Sequence, residues 1–192
     1  MTEQAQEPKS PAILEGIRVV DLTTGSFNYA GRLLAGLGAE VIKIESTEGD
    51  PLRHWGPFRD DKKDIETGGR HLHLDAGKRS ISIDIDSLEG QELARNIIGN
   101  CDVVLESFEP GYLETVGLSF ESLASSHTNL IMVSMSHFGQ SGPYKDYHGS
   151  EIVDVAIGGY LRLTGEPDRE PVKPYDDLVI PVSYTHLRAH ET

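Results

Sequence analysis

Short apolar segments alternate along this chain with segments whose apolar residues recur at helical spacing. The apolar segments are typical of buried strands because they are brief and rich in valine and isoleucine. They span Ile17–Leu22, Glu40–Glu45, Ser80–Asp86, Asp102–Glu106 and Leu130–Met135. This alternation predicts an α/β fold with a mostly parallel sheet, helices on both faces and right-handed crossovers. Ligands of such sheets bind at the carboxyl ends of the strands.

The helices between these strands are predicted from their apolar stripes. The first should bury Phe27, Ala30, Leu33, Leu34 and Leu37, and the last, capped by Ser150, should bury Val153, Ala156, Ile157 and Tyr160. Another helix begins after Ser87, whose hydroxyl is a favoured cap. The segment between Ser46 and Lys78 is long and poorly periodic, which predicts a loop without secondary structure that is functional or partly disordered.

Composition limits the class of protein. The 192-residue chain carries a formal net charge of −14, which argues against nucleic acid or an anionic membrane as a partner. Cys101 is the only cysteine, so we expect no disulfide framework and no metal site built on cysteine. The N-terminal residues lack a signal-peptide pattern and no apolar run has the length of a membrane span, which together predict a cytoplasmic protein.

The two ends of the chain are expected to lie outside the folded domain. Residues 1–12 are polar and predict a flexible lead-in to a domain over residues 13–181. The peptide VSYTHLRAHET at residues 182–192 matches the translation of a transposase adapter used in sequencing libraries. We interpret it as an artefact tail and exclude it, with His186 and His190, from functional reasoning. On this interpretation the chain is an N-terminal fragment of a longer protein.

Cationic and aromatic residues gather where predicted strands begin or end. Gly36–Pro57 leads from a strand into a loop, and we expect its Arg53 and Trp55 to lie near a ligand. Lys78 and Arg79 precede a strand, and they could hold a phosphate or form a solvated surface pair. The glycine fingerprint G-x-G-x-x-G is absent after the first strand, which disfavours a nicotinamide-dependent dehydrogenase.

Acid–base groups occur near the last predicted strand and helix. His137 lies in a glycine-containing loop and could be an acid or base, or a hydrogen-bonded loop histidine. Glu151 and Asp154 are three residues apart, so they share one face near the start of the last helix. A carboxylate kept ionised at a helix N-terminus could attack an activated acyl group, although first-turn acids also favour the helix dipole without any catalytic role.

Six sequence blocks occur in the order typical of one enzyme family. They are LEGIRVVDLT, GAEVIKIE with GDPLRHWGP, GKRSISIDI, DVVLESFEPG, VSMSHFGQSGPY and LTGEPDREPV. Together they resemble the family III CoA-transferases, also called the CaiB/BaiF family, which includes formyl-CoA transferase, carnitine CoA-transferase and α-methylacyl-CoA racemase. The resemblance implies a Rossmann-like large domain whose N-terminal part is residues 13–181. It also implies an interlocked homodimer that uses acyl-CoA and a carboxylic acid acceptor as substrates and has no tightly bound cofactor.

The resemblance further implies roles for individual residues in binding CoA. Lys78 and Arg79 match the basic pair at the family's CoA site. Thr24 and Gly25 lie in the loop that usually lines this site, and Ser107 stands in a block where the family commonly has asparagine. These residues are the predicted CoA contacts.

The catalytic residue is likewise implied by the resemblance. The family's catalytic aspartate lies in a segment like G-Y-D-L-V-A-Q-A, and Glu151 takes its position here, with Asp154 as the runner-up. The implied reaction is attack of this carboxylate on an acyl-CoA thioester, followed by enzyme-bound anhydride and thioester intermediates. An α-methylacyl-CoA racemase of the same family and a CoA-binding relative without catalysis are the alternatives.

Overall fold

A five-stranded sheet organises the chain. The computed structural model describes residues 11–163, 165, 166 and 168–170. The strands are β1 (Arg18–Leu22), β2 (Glu40–Glu45), β3 (Arg79–Ser82), β4 (Val103–Glu106) and β5 (Ile131–Ser134), in the spatial order β3-β2-β1-β4-β5. Strand β1 pairs in parallel with both β2 and β4, and β2 pairs in parallel with β3. Because the order reverses at β1, the carboxyl ends of β1 and β4 mark the place where sheets of this order bind ligands.

Six α-helices lie in the described part of the chain. They are α1 (Asn28–Gly36), α2 (Gly69–Leu74), α3 (Leu88–Ile98), α4 (Tyr112–Thr115), α5 (Phe120–Ala124) and α6 (Glu151–Ile157). Short 3₁₀ turns occupy Gly25–Phe27, Pro51–His54, Arg59–Asp61 and Tyr160–Leu163. The predicted α/β fold with a mostly parallel sheet is confirmed.

The described residues form two compact units. The first contains residues 11–106 and 114–133, and the second contains residues 107–113 and the described residues from 134 onward. The first unit therefore holds nearly the whole sheet, and the second holds the loop after β5 and helix α6.

The core of the first unit lies on its two central strands. Val19 and Val20 of β1 and Val104 of β4 are completely buried. Strands that are covered on both faces are apolar along their length, and this is why compact apolar runs predicted them. Helix α3 begins after Ser87 as predicted, because the Gly90 N–H donates to the Ser87 hydroxyl at 3.0 Å.

The segment between Ser46 and Lys78 is more ordered than its composition predicted. It contains two 3₁₀ turns and α2, so the prediction of a loop without secondary structure is wrong. Asp50 caps the first turn by accepting a hydrogen bond from the Leu52 N–H at 2.7 Å, and Pro51 presets the following φ. Turns of this length present no apolar stripe, and periodicity therefore cannot detect them.

Strand β3 is shorter than its alternating sequence predicted. It ends at Ser82 instead of Asp86, and Ser82 pairs with Glu45, the last residue of β2. Pairing stops there because the neighbouring strand stops. Alternation records which side chains share a face, but the length of a strand depends on its partner.

Two predicted apolar stripes are also wrong. Helix α1 buries Asn28 and Gly31 while Leu33 is exposed. Helix α6 buries Asp154 and Val155, whereas the predicted stripe residues Ala156 and Ile157 are exposed. Both helices turn a polar side chain inward. Asn28 and Asp154 can be buried because each has hydrogen-bond partners inside its own unit.

Candidate functional site

A buried polar cluster lies near the carboxyl ends of β1 and β2 in the first unit. The cluster consists of Asp21, Thr23, Asn28, Lys43, Asp50, Asp75 and Lys78, whose side chains are almost completely buried. It contains three carboxylates and two ammonium groups. Buried charges are tolerated only when they are paired and hydrogen-bonded, so the contacts inside the cluster determine what each residue does.

Lys78 is fully engaged inside this cluster. Its side chain is 1% exposed, and its Nζ lies 2.7 Å from Asp21 Oδ2 and 2.8 Å from Asp75 Oδ1. The same Nζ donates to the Asn28 carbonyl at 2.7 Å. Two of its three N–H donors therefore serve the hydrogen bonds to Asp75 and Asn28, and Asp21 is held as a close ion pair. Lys78 thus joins β1 and α1 to the turn before β3, while its predicted contact with CoA stays a prediction.

Lys43 makes the corresponding contacts from β2. Its Nζ lies 2.9 Å from Asp50 Oδ2, and it donates to the Thr23 carbonyl at 2.7 Å and to Asn28 Oδ1 at 3.2 Å. The Asn28 amide donates in turn to Asp50 at 3.1 Å. Lys43 therefore ties the end of β1 and the start of α1 to the loop after β2.

The turn between β1 and α1 carries two of the predicted CoA contacts, Thr24 and Gly25. The two lysines hold both of its ends, because they donate to the carbonyls of Thr23 and Asn28. Gly25 has a φ of 64°, a left-handed conformation that glycine adopts without strain. The backbone of this turn is thus held in place by the buried ammonium groups of Lys43 and Lys78.

Arg79 is the accessible member of the predicted basic pair. Its side chain is 76% exposed, and its guanidinium lies 2.6 Å from Glu40 Oε1. Consecutive side chains in an extended segment point to opposite faces, so Lys78 enters the cluster and Arg79 faces solvent. A surface ion pair of this kind is weak, and its arginine can exchange the carboxylate for a phosphate.

Gly31 of α1 provides a test of how tightly the cluster is packed. A Cβ atom there would overlap the Asp21 carboxylate, whereas a Cβ at Gly36 of the same helix would have no atom within 4 Å. We expect Gly31→Ala to lower the free energy of unfolding by about 1–3 kcal/mol. We expect Gly36→Ala to leave it unchanged or raise it by up to about 1 kcal/mol. Urea denaturation of both variants measures this difference, and equal effects would contradict the tight packing.

A second buried ion pair joins β2 to the loop that follows it. Arg53 Nε lies 2.6 Å from Glu45 Oε2, and Arg53 Nη2 donates to Glu45 Oε1 at 2.8 Å. The Ser80 hydroxyl and the Asp50 N–H donate to the same carboxylate at 2.5 and 2.7 Å. Burial by itself would raise the pKa of Glu45, but the hydrogen bonds from Arg53, Ser80 and Asp50 outweigh it and lower this pKa to about 2. The hydrogen bond to Glu45 raises the pKa of Arg53.

This ion pair changes the expectation for the loop residues Arg53 and Trp55. The Arg53 guanidinium is buried against Glu45, so its contacts are structural, and the prediction that it faces a ligand is not supported. Trp55 is exposed, with the Arg70 guanidinium 4.9 Å from the centre of its ring, a cation–π arrangement. Trp55 is therefore the residue of the two that is open to a ligand.

The second unit brings together the acid–base residues that the sequence indicated. Glu151 is the first residue of α6 and is half-buried. Asp154 lies one turn further and is completely buried, with its Oδ2 2.7 Å from His137 Nδ1. Its other oxygen, Oδ1, has no hydrogen-bond partner among the described residues. The structure thus joins His137 to the helix that carries Glu151.

His137 is held closely and stays partly accessible. Its side chain is 28% exposed. The hydrogen bond to Asp154 raises the pKa of His137 above the usual 6.5 although burial opposes the rise, and the charges of Asp154 and Glu109 add to it. The imidazole packs against Gly149, where a Cβ atom would overlap the ring. Only glycine at position 149 leaves room for this arrangement.

The remaining predicted CoA contact, Ser107, follows β4 and belongs to the second unit, where it is half-buried. The other four belong to the first unit. The roles of all five in binding CoA stay predictions.

The partners that complete the buried cluster were not predicted from the sequence. Lys43 was the available signal, because a lysine inside the otherwise apolar strand EVIKIE must find buried acceptors. The identity of those acceptors could not be predicted from the sequence. Thr23 follows β1 and Asp50 follows β2, and only the fold brings these two loops together.

None of the described helices is long and apolar enough to cross a membrane. Among the described residues, no group of three or more histidine, cysteine, aspartate or glutamate side chains could hold a metal ion.

Fold and site together define an α/β protein whose parallel sheet reverses its strand order at β1 and carries a buried charge cluster beside that point. The sequence model of the family described as CoA-transferase family III matches residues 14–181 of this chain. The chain therefore belongs to CoA-transferase family III, as the six sequence blocks indicated.

Individual relatives agree with this assignment. The chain is 42% identical over 176 residues to the succinyl-CoA–D-citramalate CoA-transferase of Chloroflexus aurantiacus, covering 88% of this chain and 41% of that protein. It is 38% identical over 160 residues to the succinyl-CoA:(R)-benzylsuccinate CoA-transferase subunit BbsE of Thauera aromatica, covering 83% and 39%. A solved CaiB/BaiF family protein from Brucella suis matches with a TM-score of 0.80 at 35% identity, covering 94% of this chain and 50% of that one. The chain thus spans about two fifths of the length of the two curated relatives.

Proposed function

We propose that the full-length protein to which this chain belongs transfers CoA from an acyl-CoA to a carboxylic acid. The observation that carries the proposal is the family match over residues 14–181. The two curated relatives described above are named as transferases that take CoA from succinyl-CoA, with D-citramalate or (R)-benzylsuccinate as the other acid. We extend the proposal to succinyl-CoA as the donor and a dicarboxylic acid as the acceptor.

The proposed reaction uses a carboxylate of the protein as nucleophile. Its oxygen attacks the thioester carbonyl, the C–S bond breaks, and CoA leaves as a thiolate from a mixed anhydride. The thiolate then attacks the protein side of the anhydride, which releases the donor acid and leaves CoA bound to the side chain as a thioester. The acceptor carboxylate repeats these steps in reverse and departs as a new acyl-CoA. Each step is easier than direct exchange between two free acids.

Glu151 is the nucleophile in this proposal. It is the first residue of α6 and its side chain is half-buried, so part of it stays accessible. Asp154 is less suited to attack because it is completely buried and one of its oxygens already accepts a hydrogen bond from His137. This difference in burial supports Glu151 over the runner-up.

The CoA site of the proposal combines the turn after β1 with the exposed cation before β3. Thr24 and Gly25 would approach CoA through their backbone, and Arg79 would pair with a phosphate. Ser107 of the second unit is a separate predicted contact, through its hydroxyl. Lys78 supports the site by holding the turn that carries Thr24 and Gly25. The proposal includes a cytoplasmic, interlocked homodimer, in keeping with the resemblance described above.

An assay of the full-length protein tests the proposed activity. The protein is incubated with succinyl-CoA and a panel of mono- and dicarboxylic acids, and new acyl-CoA species are measured by mass spectrometry. We expect a new acyl-CoA with at least one dicarboxylic acceptor. Racemisation of a 2-methylacyl-CoA without any acceptor, or CoA binding without turnover, would overturn the proposal.

A trapping experiment tests the nucleophile separately. Hydroxylamine added during turnover converts an enzyme-bound anhydride or thioester into a hydroxamate that remains on the side chain, and peptide mapping locates it. We expect the hydroxamate on Glu151, its loss in Glu151→Gln and its retention in Asp154→Asn. A hydroxamate on another carboxylate, such as Asp176 or Asp177 in the same family match, would overturn the assignment to Glu151 and leave the transferase proposal intact.

A further inference from the structure

The pair formed by His137 and Asp154 has the geometry of a proton-transfer group. Asp154 Oδ2 lies 2.7 Å from His137 Nδ1, and the Asp154 side chain is completely buried. A buried carboxylate in this position accepts the Nδ1–H and fixes the tautomer and orientation of the ring, as in hydrolytic triads. The second proton of the imidazolium is then the one on Nε2.

The second oxygen of Asp154 strengthens this interpretation. Oδ1 is buried and has no hydrogen-bond partner among the described residues, so the imidazole supplies the principal described contact of this carboxylate. A buried carboxylate with so few donors is stabilised mainly by a protonated ring. Asp154 therefore favours the imidazolium form of His137.

The packing of the ring places it at the start of α6. The imidazole lies against Gly149, so closely that no Cβ atom fits there, and its Nδ1 binds Asp154. Glu151 lies between these two positions in the sequence and shares a helix face with Asp154, because they are three residues apart. The partly exposed ring thus belongs to the same end of α6 as the proposed nucleophile.

We propose that His137 donates the proton that neutralises the departing CoA thiolate, and that Asp154 is its positioning residue. The inference rests on the proposed function and names a residue that the family resemblance did not assign. When the C–S bond breaks, its electron pair stays on sulfur, and the proton moves from Nε2 to sulfur, leaving a thiol and a neutral imidazole. When the thiol attacks the anhydride, the proton returns to Nε2, so no proton is gained or lost over the cycle.

The local charges favour such a step. Asp154 on α6 and Glu109 in the loop after β4 both act on the ring, so the surroundings of His137 are negative. A thiolate that forms beside these carboxylates is repelled by them, and protonation removes that repulsion. The hydrogen bond to Asp154 raises the pKa of His137, which keeps a proton on the ring for transfer to sulfur.

Variants of the full-length protein test the proposal. The test compares His137→Gln and Asp154→Asn with His148→Gln, an exposed histidine of the same unit, as matched control. We expect His137→Gln to lower kcat about 100-fold or more with little change in KM for acyl-CoA, and His148→Gln to leave both unchanged. A His137→Gln protein with a normal kcat would overturn the proposal.

Chemical rescue separates proton transfer from a structural role. In His137→Ala, added imidazole should restore turnover, whereas pyrazole, which has nearly the same shape and is not protonated at neutral pH, should not. Equal rescue by both would overturn the proposal in favour of simple packing. If His137→Ala does not fold, kcat of His137→Gln decides. Absence of CoA transfer in the unmodified protein would overturn both this inference and the proposed function, whereas normal transfer by His137→Gln would overturn this inference alone.

Discussion

Replacing Lys78 with methionine should destabilise the protein by about 3–5 kcal/mol, whereas replacing its neighbour Arg79 with methionine should change stability by less than about 1 kcal/mol. The Lys78 ammonium is buried between Asp21 and Asp75, so its removal leaves the Asp21 carboxylate without its cation and deprives Asp75 of its closest one. Arg79 lies on the surface, and its partner Glu40 becomes solvated when the arginine is lost. The two substitutions remove the same charge from adjacent positions.

The comparison is made on the full-length protein by thermal and urea unfolding, with CoA affinity measured on whichever variants fold. We expect a lower midpoint of unfolding for Lys78→Met alone, and weaker CoA binding for Arg79→Met alone. A Lys78→Met protein of normal stability that has lost CoA affinity would show that Lys78 is a ligand contact, and it would contradict the structural role. Lys43→Met, which removes the other ammonium of the cluster, should behave like Lys78→Met.

Lys78 and Arg79 also show which features of the site could be predicted from the sequence alone. The dipeptide indicated a basic pair before a strand, and that position is correct. Which cation is buried depends on Asp21, from another strand, and on Asp75, from the end of α2. Sequence periodicity carries no information about such distant partners, so the opposite environments of Lys78 and Arg79 could not be predicted.

The strands were predictable for a simple physical reason. Glu40–Glu45 was predicted with the observed bounds because a compact β-branched run can bury itself only in the middle of a sheet. The same reasoning failed for α1 and α6, where the buried residues Asn28 and Asp154 are polar. A polar side chain can be buried when it has a hydrogen-bond partner inside the protein, and that partner is identified only once the fold is known.

In the candidate site, too, some features were predictable from the sequence and others were not. The sequence indicated His137, Glu151 and Asp154 separately, and the helical spacing correctly placed the two acids within one turn. The hydrogen bond from His137 to Asp154 was not predictable, because it joins a loop to a helix across a stretch of irregular chain. The family pattern indicated position 151, and the structure adds the contact between His137 and the buried Asp154 of the same helix.

Replacing Arg53 with methionine should destabilise the protein by about 3–5 kcal/mol near neutral pH, because Glu45 would remain buried without its cation. The matched control is Glu66→Gln, which removes the exposed partner of the same guanidinium, 3.0 Å away, and should change stability by less than about 1 kcal/mol. Thermal unfolding of the two variants at neutral pH measures the contrast. Similar losses in both would contradict the dominance of the Glu45 contact.

The pH dependence of this loss provides a sharper test. Glu45 has a folded-state pKa of about 2, lowered from an ordinary 4.5, so its stabilising contribution is present above about pH 4.5 and is lost as the pH falls toward 2. A pKa lowered this far corresponds to about 3 kcal/mol of stabilisation, which agrees with the cost expected for the substitution. In Arg53→Met the largest hydrogen-bonding cause of the lowered pKa is gone. The difference in stability between the unmodified protein and Arg53→Met should therefore be greatest above pH 4.5 and should narrow between pH 4.5 and pH 2. A difference that stayed constant over this range would show that Arg53 acts through packing instead of through the charge of Glu45.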